Sequence, residues 1–337
     1  MSLLTLGRLG ITTSLLVALS TSTAFAADCG HRGALDDRFC DENMDMVADT
    51  PKDSSRWRNP STLVFTYTPV EDPAVYQDAF ADFQRHLSEA TGKRVVYYNV
   101  HSNSAQVEAM RSGRLHIAGF STGPTGYAVN LAGYVPIAVK GYETEFQGYN
   151  LITIVRADSD IQTMEDLKGR TVAHTAVSSN SGNLAPRALF PALGVVPDED
   201  YKVAYSGKHD QSVMGVLTGD YDAAPVASDV YDRMVEAGRV KADDFRIIYR
   251  SARFPTSAFG YAHDLHPELV EKIKDAFDSY RFPPEMQADF DGADRFFPIT
   301  YKDDWEVVRD IAHATGTAYT ERGLQQLAER EAAAAKK

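Results

Sequence analysis

Cysteine and basic residues are scarce in this sequence. Only two cysteines, Cys29 and Cys40, occur among the 337 residues, and a chain of this length buries its cores without disulfide staples. Lys and Arg number 34 against 47 Asp and Glu, which gives a formal net charge of −13. Because nucleic acids and anionic membranes attract basic surfaces, we expect neither as a partner.

The sequence also lacks long apolar runs and several familiar catalytic motifs. No segment after the N-terminus approaches 18 uninterrupted apolar residues. A phosphate-binding P-loop, an H-E-x-x-H zinc motif and a strand-linked G-x-G-x-x-G are absent. The sequence offers no evident activated nucleophile and no paired acid and base. We therefore expect a protein that is not an enzyme and that binds no cofactor.

Residues 1–26 have the features of a secretory signal peptide. A single charge, Arg8, precedes a short apolar run that begins at Ile11, and residues 24–26 form an A-x-A cleavage site. The alternative is a membrane anchor, but the run is too short and too rich in Ser and Thr to span a hydrocarbon core. No cysteine directly follows the cleavage site, so we expect no lipid anchor. These features predict export and a periplasmic location.

Export makes the two cysteines informative. In an oxidising compartment Cys29 and Cys40 should form a disulfide, with two free thiols as the alternative. The bond would close a local loop within an N-terminal arm at residues 27–60. We expect it to fix the start of the exported chain and to contribute little to the main domains.

The arm also contains oxygen-bearing side chains spaced like positions 1, 3, 5 and 9 of a calcium-binding loop. These residues are Asp41, Asn43, Asp45 and Asp49. Met46 stands where such loops have Gly, and Lys52 stands where they have a bidentate Glu. The segment is therefore either a calcium site or a solvated acidic arm, and the spacing alone leaves both open.

From Ser61 onward, β-branched and aromatic runs alternate with helical patterns. Such alternation predicts an α/β fold of two units, each a mostly parallel sheet flanked by helices. The predicted strands are 62–67, 94–100, 115–118, 134–139, 149–155, 171–174, 201–205, 221–226 and 245–249. Helices are predicted between them, including one at 181–193, and four more follow Pro255, at 268–280, 284–290, 304–315 and 321–334.

The late helices should pack back onto the first unit. The chain would then cross between the units twice, near residues 147–152 and 250–257, which predicts a hinge. The expected domains are a first lobe of residues 61–148 plus 256–325, a second lobe of residues 152–248, and a frayed Ala-rich tail at 326–337.

Small hydroxyl residues follow the predicted strand 171–174 and lead into a helix. The N-terminus of a helix offers unpaired N–H groups, and Ser and Asn side chains add neutral donors. The segment from Ser178 to Gly182 therefore suits a small oxyanion, and Gly182 lets the backbone approach a ligand closely. An ordinary N-cap explains the same residues equally well.

Two further loops have comparable positions. A turn containing Ser121 and Thr122 follows the strand 115–118 and opens a helix, and His209 lies between a strand and the next helix. Because ligands of open α/β sheets bind beyond the carboxyl ends of strands, we expect these loops to face one cleft. A plain turn and a simple cap are the alternatives.

Several of these segments also form a known set of motifs. They are D-L-K-G at 166–169, the hydroxyl segment 179–182, Ser206–His209 and Tyr221–Asp229. With them, the sequence resembles the periplasmic phosphonate- and phosphite-binding proteins of ABC uptake systems, over about residues 61–320. D-L-K-G indicates only the two-lobed type II periplasmic binding protein fold, whereas the other motifs point to phosphorus oxyanions.

The resemblance implies roles for individual residues. Ser179 and Ser181, with the helix amides, would hold phosphorus-bound oxygens, and His209 would donate a further hydrogen bond. Asp229 would accept a hydrogen bond from a protonated oxyanion or balance an amine. The other candidate ligand-binding residues are Asn180, Phe120, Ser121, Thr122 and Ser257.

Three of these positions depart from the family pattern. Asn180 replaces a usual Thr, and Phe120 stands where Tyr is frequent, so Ser121 or Thr122 would supply the missing hydroxyl. Ser257 lies near the place where aminoethylphosphonate binders have a second acid. The departures favour phosphite, methylphosphonate or phosphate over an aminoalkyl phosphonate.

The resemblance implies a monomeric binding protein that delivers its ligand to an ABC permease in the inner membrane. Two alternatives remain open. A binder of a carboxylate or amino acid would use an arginine such as Arg187, Arg250 or Arg253 to hold the carboxylate. An exported enzyme on the same fold is the other, since a fold does not determine a function.

Overall fold

The computed structural model describes residues 29–68, 70 and 73–334. The predicted signal peptide, residues 1–26, lies outside the described residues. Within the described part of the chain, no helix combines the length and the apolar character that crossing a membrane requires.

Within the residues described, eleven strands form two separate sheets. The strands are β1 (Thr62–Tyr67), β2 (Arg94–Tyr97), β3 (Ile117–Phe120), β4 (Tyr134–Gly141), β5 (Gly148–Arg156), β6 (Thr171–His174), β7 (Lys202–Tyr205), β8 (Ala223–Ala227), β9 (Phe245–Pro255), β10 (Ala258–Ala262) and β11 (Arg295–Pro298). The first sheet has the order β11-β4-β10-β3-β1-β2, and the second has the order β7-β6-β8-β5-β9.

Helices connect the strands. They are α1 (Pro73–Ala79), α2 (Ala81–Thr91), α3 (Asn103–Arg111), α4 (Thr125–Ala132), α5 (Ala185–Leu189), α6 (His209–Thr218), α7 (Ser228–Glu236), α8 (Pro267–Ser279), α9 (Pro284–Asp289), α10 (Tyr301–Asp304), α11 (Glu306–Ala314) and α12 (Glu321–Ala334). Helix α2 is capped at its C-terminus by Gly92, which adopts the left-handed conformation with φ +67°.

Both sheets are mixed, with a parallel part and an antiparallel part. β1 pairs in parallel with β2 and β3, and β6 pairs in parallel with β7 and β8. β10 runs antiparallel to β3 and β4, and β5 runs antiparallel to β8 and β9. β5 and β10 lie where the chain enters the second sheet and returns to the first, and the edge strand β11 runs antiparallel to β4.

The sequence predicted only helices after Pro255, and this prediction is wrong. That segment contains β10, which is fully buried in the middle of the first sheet, and β11 at one edge. Ala258-Phe-Gly-Tyr-Ala262 has few β-branched residues, so its strand character depends on burial between two neighbouring strands. The predicted helix 181–193 is also wrong as a single element, since it consists of a π-helical turn (Asn180–Leu184), α5 and a 3₁₀ turn (Phe190–Leu193).

Each sheet has its own hydrophobic core, and the chain passes between them twice. It leaves the first sheet after Gly141, enters the second at Gly148, and returns between Pro255 and Ala258. The two passing strands, β5 and β9, pair side by side, with Gly148 opposite Pro255. Helix α11 packs on both cores, because Val308 belongs to the first and Ile311 to the second.

The C-terminal helix contradicts the predicted frayed tail. Residues 326–334 continue α12, and Leu324 and Leu327 are buried in the first core. Near its end, the Glu331 carboxylate accepts hydrogen bonds from the Asn103 and Ser104 backbone N–H groups, at 3.2 and 3.1 Å. These are the first amides of α3, so Glu331 caps that helix from another element.

The N-terminal arm contains the predicted disulfide between Cys29 and Cys40. Leu35, Phe39 and Ala48 attach the arm to the first core. The disulfide therefore closes a loop that packs against the first lobe.

The calcium hypothesis for the arm finds no support in the described residues, which hold no group of three His, Cys, Asp or Glu side chains arranged to bind a metal. The carboxylate of Asp41 is buried and accepts from the backbone N–H groups of Asp45 and Met46, at 2.9 and 3.2 Å. The Asp49 carboxylate accepts from the Glu42 N–H at 2.8 Å, and Asn43 accepts from the Asp45 N–H at 3.1 Å. These side chains organise a turn, which explains their spacing.

Candidate functional site

A cavity of about 60 Å³ lies between the two sheets, and we call it the cleft. Several of its walls are the loops that follow the carboxyl ends of β3, β6, β7 and β8, where open α/β sheets bind ligands. Polar residues dominate the lining, which includes Tyr67, Asn103, Ser121, Thr122, Tyr149, Thr175, Ser179, Asn180, Ser181, Lys208, His209, Asp229, Arg233, Thr256 and Ser257.

The hydroxyl segment after β6 forms a compact turn that is held by hydrogen bonds of its own. Ser179 is the N-cap of the π-helical turn, and its Oγ accepts a hydrogen bond from the Gly182 N–H at 3.1 Å. The Gly182 carbonyl accepts from the Thr175 N–H at 3.1 Å, which folds the turn back on the end of β6. A Cβ at position 182 would lie 1.9 Å from Thr175 Oγ1, so only glycine fits this close approach.

His209 is held in one orientation by two hydrogen-bonding partners. The Ala227 N–H donates to His209 Nδ1 at 3.1 Å, so in the neutral ring the proton is on Nε2. His209 Nε2 lies 3.2 Å from Ser179 Oγ and donates to it. Since Ser179 Oγ also accepts from Gly182, its own hydroxyl proton is left to donate to a third group. The pair therefore presents a donor to an anion in the cleft.

The opposite wall comes from the first sheet and the segment before β10. The Tyr67 hydroxyl at the end of β1 donates to Ser257 Oγ at 3.0 Å. Thr122 Oγ1 donates to the Pro255 carbonyl at 3.0 Å, and Ser121 Oγ lies 3.4 Å from Asn103 Oδ1. These bonds fix hydroxyl groups at the cleft from three segments that are distant in sequence.

Tyr149, on β5, closes the inner end of the cleft. Its hydroxyl accepts a hydrogen bond from Asn180 Nδ2 at 3.2 Å. Burial raises the pKa of Tyr149 to about 12, although hydrogen bonds with Thr122 and Asn180 oppose the shift. The phenol therefore stays protonated at neutral pH and acts as a neutral hydrogen-bonding group.

The cleft contains charges of both signs. Lys208 and Arg233 bring positive charge, and the Arg233 guanidinium lies 3.4 Å from the Asp229 carboxylate. An oxyanion there would meet cationic groups and neutral donors. The Asp229 carboxylate could accept a hydrogen bond from a protonated oxygen of the ligand.

Three buried polar atoms in the cleft lining have no hydrogen-bond partner within the described part of the chain. They are Thr175 Oγ1, Asn180 Oδ1 and Thr256 Oγ1. Leaving such groups unpaired costs about 1–3 kcal/mol each. A ligand able to both donate and accept hydrogen bonds would satisfy them.

The two lobes touch directly beside the cleft. Asn103 Nδ2 donates to Ser178 Oγ at 3.2 Å, linking the start of α3 to the hydroxyl segment of the other lobe. A Cβ at Gly123 would lie 2.1 Å from the Ser178 carbonyl oxygen. The absence of a side chain at position 123 therefore permits the contact between the lobes.

Most of the predicted site residues come together in this cleft, and one does not. The residues that line it are Ser179, Asn180, Ser181, His209, Asp229, Ser121, Thr122 and Ser257. Phe120 is fully buried in the first core, with its ring 4.8 Å from Tyr134. Its side chain therefore packs in the core and does not line the cleft.

The turn after β3 also fits the G-x-S-x-G pattern of a catalytic nucleophile, at Gly119–Gly123. Such a serine needs a base within hydrogen-bonding distance. Ser121 Oγ instead contacts the Asn103 amide, and within the described residues no histidine is bonded to it. The pattern therefore lacks the partner that nucleophilic catalysis requires.

Seven polar residues of the cleft lining were not predicted from the sequence. They are Tyr67, Asn103, Tyr149, Thr175, Lys208, Arg233 and Thr256. The proposed carboxylate-binding arginines lie elsewhere, since Arg187 pairs with Asp198, Arg250 with Asn150 and Arg253 with Glu145. Lys208 adjoins His209 in a motif already noted, so that motif could have identified it, whereas the others required knowledge of the fold.

The chain resembles known proteins over most of its length. Residues 65–305 match the family model described as the phosphonate periplasmic substrate-binding protein of ABC transporters. The phosphate-import protein PhnD of Mycolicibacterium smegmatis is 28% identical over 243 residues, covering 68% of this chain and 75% of that protein.

Two solved structures share the fold at lower identity. A binding protein of an ABC phosphonate transporter from Pseudomonas aeruginosa superposes with a TM-score of 0.68 at 21% identity, covering 82% of this chain and 97% of that one. PhnD1 from Prochlorococcus marinus, solved with methylphosphonate, gives a TM-score of 0.68 at 18% identity, with coverage of 77% and 99%. Both likenesses concern the two-lobed α/β fold.

Proposed function

Since the chain belongs to the family of periplasmic phosphonate-binding proteins of ABC transporters, we propose that it captures a small phosphorus oxyanion in the cleft. The candidate ligands are phosphite, methylphosphonate and phosphate. The observation that carries the proposal is the set of unpartnered buried polar atoms beside the donor pair of Ser179 and His209. A partly protonated oxyanion offers both the acceptors and the donor that such groups require.

The size and polarity of the cleft support a small ligand. About 60 Å³ accommodates a group of a few heavy atoms, since a single water needs roughly 10–15 Å³ on the same kind of measure. Asp229 and Asn180 Oδ1 can each accept a hydrogen bond, so a ligand with a protonated oxygen suits them better than a fully ionised one such as sulfate. The ligand is therefore a partly protonated phosphorus oxyanion.

Binding would act through closure of the two lobes. In this proposal the lobes are residues 61–148 plus 256–325 and residues 152–248, and they rotate about the paired strands β5 and β9. The cleft draws on both lobes, so the ligand favours the closed form. That form is recognised by a permease in the inner membrane, to which the protein delivers its ligand.

The remaining parts of the proposal concern the state of the protein. It is exported through a signal peptide at residues 1–26, works in the periplasm as a monomer, and is not an enzyme. The family is that of substrate-binding components of transporters, and the G-x-S-x-G turn has no base bonded to its serine within the described residues.

Calorimetric titration of the ligand-free protein tests the proposal. Phosphite, phosphate, methylphosphonate, 2-aminoethylphosphonate, sulfate and glutamate are the ligands to compare. We expect one phosphorus oxyanion to bind selectively and to raise the Tm. No response to any phosphorus compound would remove the ligand assignment, and a response to glutamate alone would favour the carboxylate alternative.

Two variants and a control locate the binding. Ser181→Ala removes a cleft hydroxyl, and His209→Asn retains an acceptor for the Ala227 N–H while removing the Nε2 donor. Ser181→Ala should weaken binding by roughly tenfold to a hundredfold, as expected for one lost hydrogen bond to a charged group. His209→Asn should also weaken binding, because Ser179 Oγ loses the donor that leaves its own hydroxyl proton for the ligand. Ser61→Ala, at an exposed site outside the cleft lining, should leave the affinity unchanged.

A further inference from the structure

A second cavity, of about 460 Å³, lies between the N-terminal arm and the first lobe, and we call it the arm pocket. Arg38 comes from the arm, Arg56 and Arg58 from the segment before β1, and Arg111 from the end of α3. None of the residues that line the arm pocket lines the cleft. The two cavities are therefore separate.

Two of the arginines are already held in fixed positions. Arg58 binds both oxygens of Asp264, at 2.7 and 2.5 Å, and donates to the Gly113 carbonyl at 2.8 Å. Arg38 donates to Asp36 and to the Leu131 carbonyl, both at 2.6 Å. Because their side chains are ordered without a ligand, little further ordering entropy is lost when an anion binds.

The arm pocket concentrates positive charge on an acidic protein. Four guanidinium groups line it, against the single carboxylate of Asp264, while the whole chain has a net charge of −13. Asp36, Glu108 and Glu321 pair with Arg38 or Arg111 from outside the lining. Within the described part of the chain, the exposed Arg56 guanidinium has neither an ion pair nor a hydrogen bond, so it is available to a ligand.

The lining also has an apolar side. Phe39, Met110 and Ala132 contribute carbon surface. His263 is 7% exposed, and its ring packs edge-on against Phe39 at 4.7 Å. Its Nδ1 has no hydrogen-bond partner within the residues described. Burial, with the nearby arginines, lowers the pKa of His263 to about 4, so the ring is neutral at pH 7.

The combination fits one chemical class of ligand. Guanidinium groups bind carboxylate and phosphate oxygens in pairs, and aromatic and aliphatic walls accept a carbon framework. Pockets that bind small molecules typically measure about 300–1,000 Å³ and pair apolar walls with a few polar groups. The arm pocket meets both conditions, whereas the cleft has room only for a few atoms.

We propose that the arm pocket is a second binding site, for a small organic anion that joins an apolar or aromatic body to a phosphate or carboxylate group. Arg56 and Arg38 contact the anionic group, and Phe39 and Met110 contact the body. The site operates independently of the cleft, and it does not depend on the ligand proposed for the cleft.

Phenyl phosphate and phenylacetate are suitable probes, with inorganic phosphate as the anion that lacks a carbon body. In calorimetry, we expect the exported protein to bind at least one aromatic probe with a Kd below about 10 mM. The two aromatic probes should compete with each other, and phosphite should not compete with either. Arg56→Glu should weaken this binding at least tenfold. Because the Arg56 side chain is exposed and makes no hydrogen bond or ion pair within the described residues, the variant should keep the wild-type Tm.

Two controls decide the interpretation. Arg322→Glu makes the same charge change at another exposed arginine outside the arm pocket and should not affect the probes. Ser181→Ala alters the cleft and should also leave probe binding intact. The proposal is wrong if neither aromatic probe binds, if both charge reversals weaken binding equally, or if Ser181→Ala abolishes it.

Discussion

Asp291 offers a prediction that links a buried carboxyl group to the pH dependence of stability. The residue follows α9 with a φ of +50°, and its Oδ2 accepts a hydrogen bond from Gln147 Nε2 at 2.8 Å. Its Oδ1 is buried and has no partner within the described residues. Burial, followed by the nearby Asp229 carboxylate, raises the pKa of Asp291 from 3.8 to about 6, against the opposing effects of Arg233 and Lys140.

The sign and size of the effect follow from this shift. Below pH 3.8 the group is protonated in both the folded and the unfolded state, so it does not affect stability. As the pH rises from 3.8 to 6, the Asp291 carboxyl ionises in the unfolded chain while it stays protonated in the folded protein, so folding becomes less favourable. The cost is complete above about pH 7 and reaches at most about 3 kcal/mol, since one pKa unit corresponds to about 1.4 kcal/mol.

Asp291→Asn should remove this cost. Asparagine tolerates a positive φ, so the backbone should not oppose the change. We expect the variant to gain about 1–3 kcal/mol at pH 8 and almost nothing at pH 4. Urea unfolding of both proteins at several pH values measures the difference, with Asp275→Asn at an exposed position as the control. An equal gain at both pH values, or a loss at pH 8, would refute the reasoning.

Three further predictions follow from the packing around the cleft. Gly123→Ala should hinder closure and weaken oxyanion binding at least tenfold in calorimetry. The control Gly30→Ala, at a position with no atom within 4 Å of the added Cβ, should leave the affinity unchanged, and equal affinities of the two variants would contradict the contact between the lobes. Phe120→Tyr should leave the affinity unchanged and lower the free energy of unfolding in urea by about 1–3 kcal/mol, because the new hydroxyl lies in the core. Tighter binding would place that hydroxyl in the cleft instead. Glu331→Gln should lower stability by about 1 kcal/mol through the weakened cap of α3, and the same loss in Glu329→Gln would exclude that explanation.

The sequence was most informative where function and local structure share a short segment. Ser179 and Ser181 follow a short apolar strand within a few residues, so the turn, its N-cap and its hydroxyl groups could be predicted together. His209 was recognised by a similar position after another strand. In these segments the spacing along the chain already determines which groups lie near each other.

Residues that depend on the arrangement of strands could not be predicted in this way. Tyr67 and Tyr149 reach the cleft from different sheets, and nothing near either one in the sequence indicates a ligand. Phe120 shows the opposite error, because it adjoins two cleft hydroxyls in sequence and yet lies in the hydrophobic core. β10 was missed because its five residues have weak strand character and become a strand through their neighbours.

The position of β10 also determines the order in which the molecule can be completed during synthesis. β10 lies between β3 and β4, yet every strand of the second sheet precedes it in the chain. At a synthesis rate of roughly 5–20 residues per second, the second sheet has all its strands before the first one does. Until residue 262 emerges, β3 and β4 each have an unpaired edge that a chaperone or a wrong strand can bind. A nascent chain stopped after Pro255 should therefore expose these edges, and hydrogen exchange there should slow only when β10 is added.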